Sequence, residues 1–217
     1  MRMLAERPRY RRCWHGRLIG TGLLLAALLA GLSAASPARA STIETVLEPF
    51  TGGPASVRLS ITDEHDGLDD GELLVQVHVL DGGAIRGVFL DLMDSSALSD
   101  IQVRGPHVTG FEIGDVINLG GGSNLQGGGS PCPCDLGVEI GTPGRSRDFV
   151  LSTAITLSSS RGPLDISLFL EQNVGVRLSP ESSKLGGVLP VPEPSTAMLL
   201  GLGVLGLGLS GPNRRRV

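Results

Sequence analysis

The chain is poor in aromatic residues, which make up only 3% of its 217 residues. Its single Trp and its single Tyr, Trp14 and Tyr10, both lie within the first 40 residues. The rest of the chain therefore lacks the two rings that most often combine a large apolar surface with a polar tip in binding sites. Since sugar-binding clefts commonly stack sugars on those rings, a glycosidase or a carbohydrate-binding module is disfavoured.

Recognisable catalytic motifs are also missing. The sequence has no Gly-x-Ser-x-Gly turn, no His-Glu-x-x-His pair and no nucleotide-binding fingerprint. After residue 40 the histidines are His65, His78 and His107, and the alternation around His78 places it on the outer face of a strand. The pattern favours a non-enzymatic protein. A secreted hydrolase stays an alternative, because the two carboxylates of such a site are brought together by the fold and not by a motif.

The N-terminus has the pattern of a secretory signal peptide, which we assign to residues 1–40. Six arginines precede an apolar run over residues 18–32, and Ala38-Arg39-Ala40 follows. A basic start, a short apolar stretch and small residues at Ala38 and Ala40 are what signal peptidase recognises. The run is short for a membrane span of about 20 residues. We therefore expect Sec export and cleavage after Ala40.

The charge balance changes when the two ends are set aside. The whole chain has 18 basic and 22 acidic residues, but seven arginines and one glutamate lie before residue 41 and three arginines lie at the C-terminus. Residues 41–193 therefore carry a net charge of −13. Such an acidic segment is repelled by nucleic acid and by anionic surfaces, so we expect no nucleic-acid partner.

The C-terminus combines three features over residues 191–217. Pro192 and Pro194 fix an extended connector, since each proline lacks an amide donor and restricts the residue before it. A glycine-rich apolar segment at 196–210 follows, with the length of a short transmembrane helix. Arg214, Arg215 and Arg216 then form a cytoplasmic stop. Together they predict a transient membrane intermediate with residues 41–190 outside the cytoplasm.

This arrangement resembles the PEP-CTERM sorting signal, whose motif is Val191-Pro192-Glu193-Pro194 here. The resemblance implies processing by exosortase, a membrane cysteine protease, at the inner membrane, and then release to the cell surface or the medium. It also implies a bacterium that makes exopolysaccharide, which becomes a candidate partner. The segments 84–89, 135–141 and 183–185 are similar to the bodies of other exported proteins with this tail, and they bring no established activity.

Residues 41–190 show the period-two alternation of β-strands. Asp-Gly, Gly-Gly and Gly-Pro turn signals separate the short runs. We predict one antiparallel all-β, β-sandwich-like domain, flanked by the N-terminal signal helix and the C-terminal transmembrane helix. The predicted strands cover residues 57–62, 72–80, 85–93, 137–140, 148–158 and 174–178, with one helical turn within 164–172. The five phenylalanines are assigned to the core, and the glycine-rich residues 120–130 to a flexible surface loop.

Residues 63–72 hold six carboxylates and two glycines between two predicted strands. Ca²⁺ prefers six to eight oxygen ligands, so this turn is a candidate calcium site. Its ligands would be Asp63, Asp66, Asp69, Asp70 and Glu72. The spacing does not match an EF-hand, because His65 stands at its third position. The other interpretation is a solvated acidic hairpin.

The chain has three cysteines, and Cys13 lies in the predicted signal peptide. Cys132 and Cys134 remain, two residues apart, in an exported segment where disulfides persist. Two thiolates without a neighbouring histidine are half of a zinc site. A local disulfide between Cys132 and Cys134, or two free thiols, is favoured over a metal site. A non-enzymatic surface or matrix protein is thus the leading hypothesis. A calcium-assisted adhesion or binding module and the hydrolase remain as alternatives.

Overall fold

The structure is a computed structural model that describes residues 42–127, 133–142, 148–179 and 183–191. These residues all belong to one compact unit, Ala40–Val217. They form ten strands: β1 Thr42–Thr51, β2 Ser56–Thr62, β3 Leu73–Asp81, β4 Ala84–Leu90, β5 Ile101–Arg104, β6 Val108–Val116, β7 Cys134–Ile140, β8 Ser152–Ser159, β9 Asn173–Ser179 and β10 Lys184–Val188. Two short 3₁₀ helices, Ser95–Asp100 and Ile166–Phe169, complete the described fold.

All strand pairs are antiparallel, and they join in one sheet of order β5-β8-β3-β2-β1-β10-β9-β4-β7-β6. Strand β1 belongs to both halves of the sheet, because its first part pairs with β2 and its last residues pair with β10. The two edge strands, β5 and β6, also contact each other. The prediction of an antiparallel all-β domain is confirmed, in the form of one continuous, nearly closed sheet. The signal helix and the transmembrane helix lie outside the described residues.

The main core lies between the two halves of the sheet. Val75, Val77 and Leu59 from one half and Val88 and Val176 from the other are at most 1% exposed. Burial alternates along β3 and β2, as the period-two pattern predicted, so His78 lies on the exposed face of β3. Burying apolar side chains at about 25 cal/mol per Å² is the dominant stabilising contribution of such a core.

Two predictions were wrong: where the strand predicted over residues 148–158 begins, and which phenylalanines lie in the core. The predicted strand over residues 148–158 begins too early, because β8 begins only at Ser152, and Phe149 and Leu151 are 58% and 45% exposed. The segment before β8 instead runs along the β3–β4 turn, where Leu151 O accepts from Val79 N at 2.9 Å and Val150 O accepts from Ile85 N at 2.8 Å. These bonds bury Val150 and leave its two neighbours outside. Phe111, another phenylalanine assigned to the core, is 40% exposed on edge strand β6.

Residues 117–127, which we call the strap, include the described part of the glycine-rich segment that was predicted to be a surface loop. The strap lies across the outer face of β9, β4 and β7, and buries Leu119 and Leu125 in a second apolar cluster with Phe89, Val116 and Cys134. Asn118 and Asn124 pair as a β-bridge within it. Gly120, Gly121 and Gly122 are exposed and have positive φ, so they form the turn between the two paired asparagines.

Candidate functional site

Leu189, directly after β10, is the last buried residue that the structure describes. Leu189 is fully buried in the main core. Its N–H donates to Gln172 O at 3.0 Å, and its carbonyl oxygen accepts from Glu171 N at 2.9 Å. Two backbone hydrogen bonds and a buried side chain therefore hold the last body residue in place. Pro190 is exposed, and Val191 is 46% exposed.

The residues around this point form what we call the exit rim: Glu171, Gln172, Asn173, Val188 and Leu189. Val188 is paired with Asn173 in the β9–β10 ladder and is 52% exposed. Glu171 has a φ of 58°, a left-handed conformation that few non-glycine residues adopt, and it turns the chain from the second 3₁₀ helix into β9. Each rim residue is placed by a long-range contact.

The predicted sorting residues are only partly described. Val191 is the first residue of the predicted motif and stands two positions after the buried Leu189. Pro192, Glu193 and Pro194, the predicted span at 196–210, and Arg214, Arg215 and Arg216 lie outside the described residues. The signal-peptidase residues Ala38 and Ala40 lie outside them as well. Within the parts of the chain that are described, no helix is long and apolar enough to cross a membrane.

The acidic turn forms the connection between β2 and β3, as its position predicted, and we call residues 63–72 the acidic loop. Glu72 is 9% exposed; one of its carboxylate oxygens accepts from Asp69 N at 3.2 Å, and the other pairs with Arg104 of β5. Asp63, Asp66, Asp69 and Asp70 are exposed to solvent. Across residues 42–127, 133–142, 148–179 and 183–191, no three His, Cys, Asp or Glu side chains form a group that could hold a metal ion. The calcium prediction thus gains no support from this geometry.

Cys134 begins β7 and lies beneath the strap, fully buried beside Leu119 and Leu125. It is disulfide-bonded. The predicted partner, Cys132, lies outside the described residues, so the Cys132–Cys134 pairing stays a prediction.

Two cations that the sequence reasoning missed hold the strap against the sheet. Arg177 of β9 donates from Nε to Gly122 O at 3.1 Å, and Lys184 of β10 donates from Nζ to Asn124 Oδ1 at 2.9 Å and to Gln126 O. The two residues are directly opposite each other in the β9–β10 ladder. Burial, and then repulsion from Arg177, lowers the pKa of Lys184, and burial lowers that of Arg177. Strap oxygens therefore compensate a like-charge pair that would otherwise be unfavourable.

A carboxylate pair that the sequence reasoning also missed lies near the exit rim. Asp91 follows β4, and Asp135 belongs to β7; Asp135 Oδ2 accepts from Leu92 N at 3.0 Å, and Asp91 Oδ2 accepts from Asn173 Nδ2 at 3.5 Å. Burial, and then hydrogen bonding to Asp135, raises the pKa of Asp91. The two residues are 44 positions apart in sequence, so only the strand order could have revealed the pair.

Two shallow, open grooves lie on the surface of the described fold, one over β2, β3 and β8 and the other beside β6, the end of β7 and the residues before β8. One, of about 460 Å³, contains Arg58 and His78, the other, of about 490 Å³, contains Phe149, and His107 lines both. Arg58 is paired with Glu44 at 3.2 Å, and both side chains are about half exposed. The grooves bring two of the three candidate histidines to one surface, without a triad of hydrogen-bonded catalytic groups among the described residues.

The described residues thus form an all-β body whose last buried residue, Leu189, lies two positions before Val191. Residues 190–216 match the family model of the PEP-CTERM protein-sorting motif. The chain therefore carries a PEP-CTERM sorting tail, which supports an exported protein that is processed by exosortase and sorted toward the cell surface. No curated protein and no solved structure shows significant similarity to the chain.

Proposed function

We propose that the protein is a non-enzymatic surface or extracellular-matrix component associated with exopolysaccharide. In this proposal Sec exports the chain, the tail holds it transiently at the inner membrane, and exosortase processing releases the all-β body. The released body acts through its surface, as a structural or binding module of the matrix.

One observation carries this proposal: the described core is complete before the sorting motif begins. Leu189 is the last buried residue among those described, and Val191 already stands outside the body. Cutting the chain within or after the motif therefore removes no described core contact. A domain that keeps its core after processing is what an exported, released protein needs, whereas the two other functions that the sequence left open gain no specific observation.

The sorting step is tested in cells. In a strain without the processing protease, we expect full-length protein to accumulate in the membrane fraction, and a chain with Pro192→Ala and Pro194→Ala should do the same in the parent strain. Immunoblots of membrane, surface and medium fractions measure this. Unchanged release in both cases would contradict processing through this tail.

The matrix role needs a separate experiment. We expect the released protein to co-purify with the exopolysaccharide fraction and to leave that fraction when the polysaccharide is missing. A broad hydrolase screen on the protein purified from the medium should detect no turnover. Reproducible hydrolysis that is lost on substitution of carboxylates in the described fold would favour the secreted hydrolase instead.

A further inference from the structure

The sorting motif is tethered very closely to the folded body. Val191 follows Leu189 by two residues, and an extended chain advances at most about 3.6 Å per residue. Val191 therefore lies within about 7 Å of the last buried residue. An α-helix with its side chains is about 10 Å across. The distance from Leu189 to Val191 is thus smaller than the diameter of one α-helix. A protein that binds Val191 therefore also comes close to the folded body.

The residues just before this tether, Val188 and Leu189, are held firmly in the fold. Leu189 is fully buried and has backbone hydrogen bonds to Gln172 and Glu171. Val188, just before it, is held in the ladder opposite Asn173. Releasing Leu189 from the body to lengthen the tether would break both of its hydrogen bonds and expose its side chain. The rim and the motif therefore approach a partner together.

We propose that the exit rim is an interaction surface for the membrane-embedded protease that processes the tail, so that the folded body is part of the substrate. This proposal rests on the proposed function, because it requires processing at the motif. A cleft that holds Val191 comes within about 7 Å of Leu189, and so meets Val188, Glu171 and Gln172. Val188 offers a half-exposed aliphatic side chain at this contact, and Glu171 offers a carboxylate.

The test compares a rim substitution at two tether lengths in the full chain. We expect Val188→Lys to slow processing about fivefold at the native tether, a typical effect of one interface residue. A ten-residue Gly/Ser spacer between Leu189 and Pro190 should remove this effect, because the rim no longer has to meet the protease. Leu80→Lys is the matched control: Leu80 is 44% exposed on β3, at the opposite end of the strands, and its substitution should not change the rate. Pulse-chase immunoblots measure the rates.

The outcomes separate this proposal from the sorting function. Equal rates for the parent chain and Val188→Lys at the native tether would overturn the rim contact. A slow Val188→Lys chain that stays slow with the spacer would overturn it too, since the defect would then come from folding. Normal processing of the Val188→Lys spacer chain shows that the variant folds. If no chain depends on the protease at all, the sorting function itself fails, whatever the rim does.

Discussion

The acidic loop and the strap are two glycine-containing surface segments that the fold treats in opposite ways. The acidic loop exposes most of its carboxylates and is tied to the fold mainly through Glu72. The strap has no acidic residue among residues 117–127, and it buries two leucines and receives hydrogen bonds from two cations. The acidic loop, whose composition is the more distinctive, therefore has fewer contacts with the rest of the fold than the strap.

The difference originates in the strands beneath the strap. Phe89 on β4 stands opposite Gly137 on β7 and Gly175 on β9, so glycines flank its ring on both sides. A Cβ on Gly175 would lie 2.4 Å from Leu125 Cδ1, and one on Gly137 would lie 2.8 Å from Leu119 Cδ2. Glycine in a strand often marks such a close approach. Here it creates two recesses that the strap leucines fill.

The largest expected effect comes from a substitution in the strap that removes the contact between Leu125 and the sheet. Leu125→Ala should lower the free energy of unfolding by about 2–5 kcal/mol, because it empties a fully buried site. Leu68→Ala in the acidic loop, where the leucine is only partly buried, should cost less than about 1 kcal/mol. Chemical denaturation of the released protein measures both. Similar losses at the two positions would mean that the strap contributes no more stability than the acidic loop.

The contrast also shows what could be predicted from the sequence. Strands β2, β3, β4 and β9 were predicted because each contributes apolar residues to the core face, at alternate positions in β2, β3 and β9, whereas nearly every residue of β4 is buried. Edge strand β6 was missed, because its residues are mostly exposed and its register shifts twice, so no clean alternation exists. The sorting motif is local and was readable. The exit rim and the strap contacts depend on which strands are neighbours, and no local pattern records that order.

A second prediction concerns the same contact with Leu125, but the substitution is made in the sheet, at Gly175. Gly175→Ala should cost about 1–3 kcal/mol, since the added methyl group overlaps Leu125 in a packed site. In the double variant with Leu125→Ala, the total loss should be smaller than the sum of the single losses, because the truncated side chain makes room. Gly110→Ala on β6 is the control, as its Cβ would meet only Glu139 Oε2 at 3.5 Å. Strict additivity in the double variant would show that the two residues do not share a contact.

A third prediction compares carboxylates that are adjacent in sequence with carboxylates that the fold brings together. The pKa of Asp91 is raised in the folded protein by burial and by Asp135. Its contribution to stability is therefore fully present below the unfolded pKa and is lost as the pH rises through the folded pKa. Asp91→Asn should stabilise the protein near neutral pH by about 0.2–1 kcal/mol, the range for neighbouring side chains in a sheet.

The pH dependence is the sharper part of this test. The advantage of Asp91→Asn should shrink as the pH falls, because the raised pKa leaves the carboxyl group of the parent protein increasingly protonated. Asp66→Asn in the acidic loop, at an exposed position, should leave the stability curve nearly unchanged. Thermal melts from about pH 4 to neutral pH measure both variants. A stabilisation by Asp91→Asn that is equally large at both ends of this range would contradict the assignment to the carboxylate pair.

The smallest expected effect concerns calcium at the acidic loop. A site that binds only the folded state raises stability with ligand concentration, by about 2.7 kcal/mol at one hundred times Kd. In the described arrangement the predicted ligand Glu72 is already engaged by Arg104 and by the amide of Asp69. The other four predicted ligands are exposed, and no group among the described residues could hold a metal. We therefore expect the same melting temperature in EDTA and in millimolar calcium. A calcium-dependent rise that disappears in Asp66→Asn would show that the loop rearranges to bind the ion, and it would favour the calcium-assisted module over a body that acts without metal.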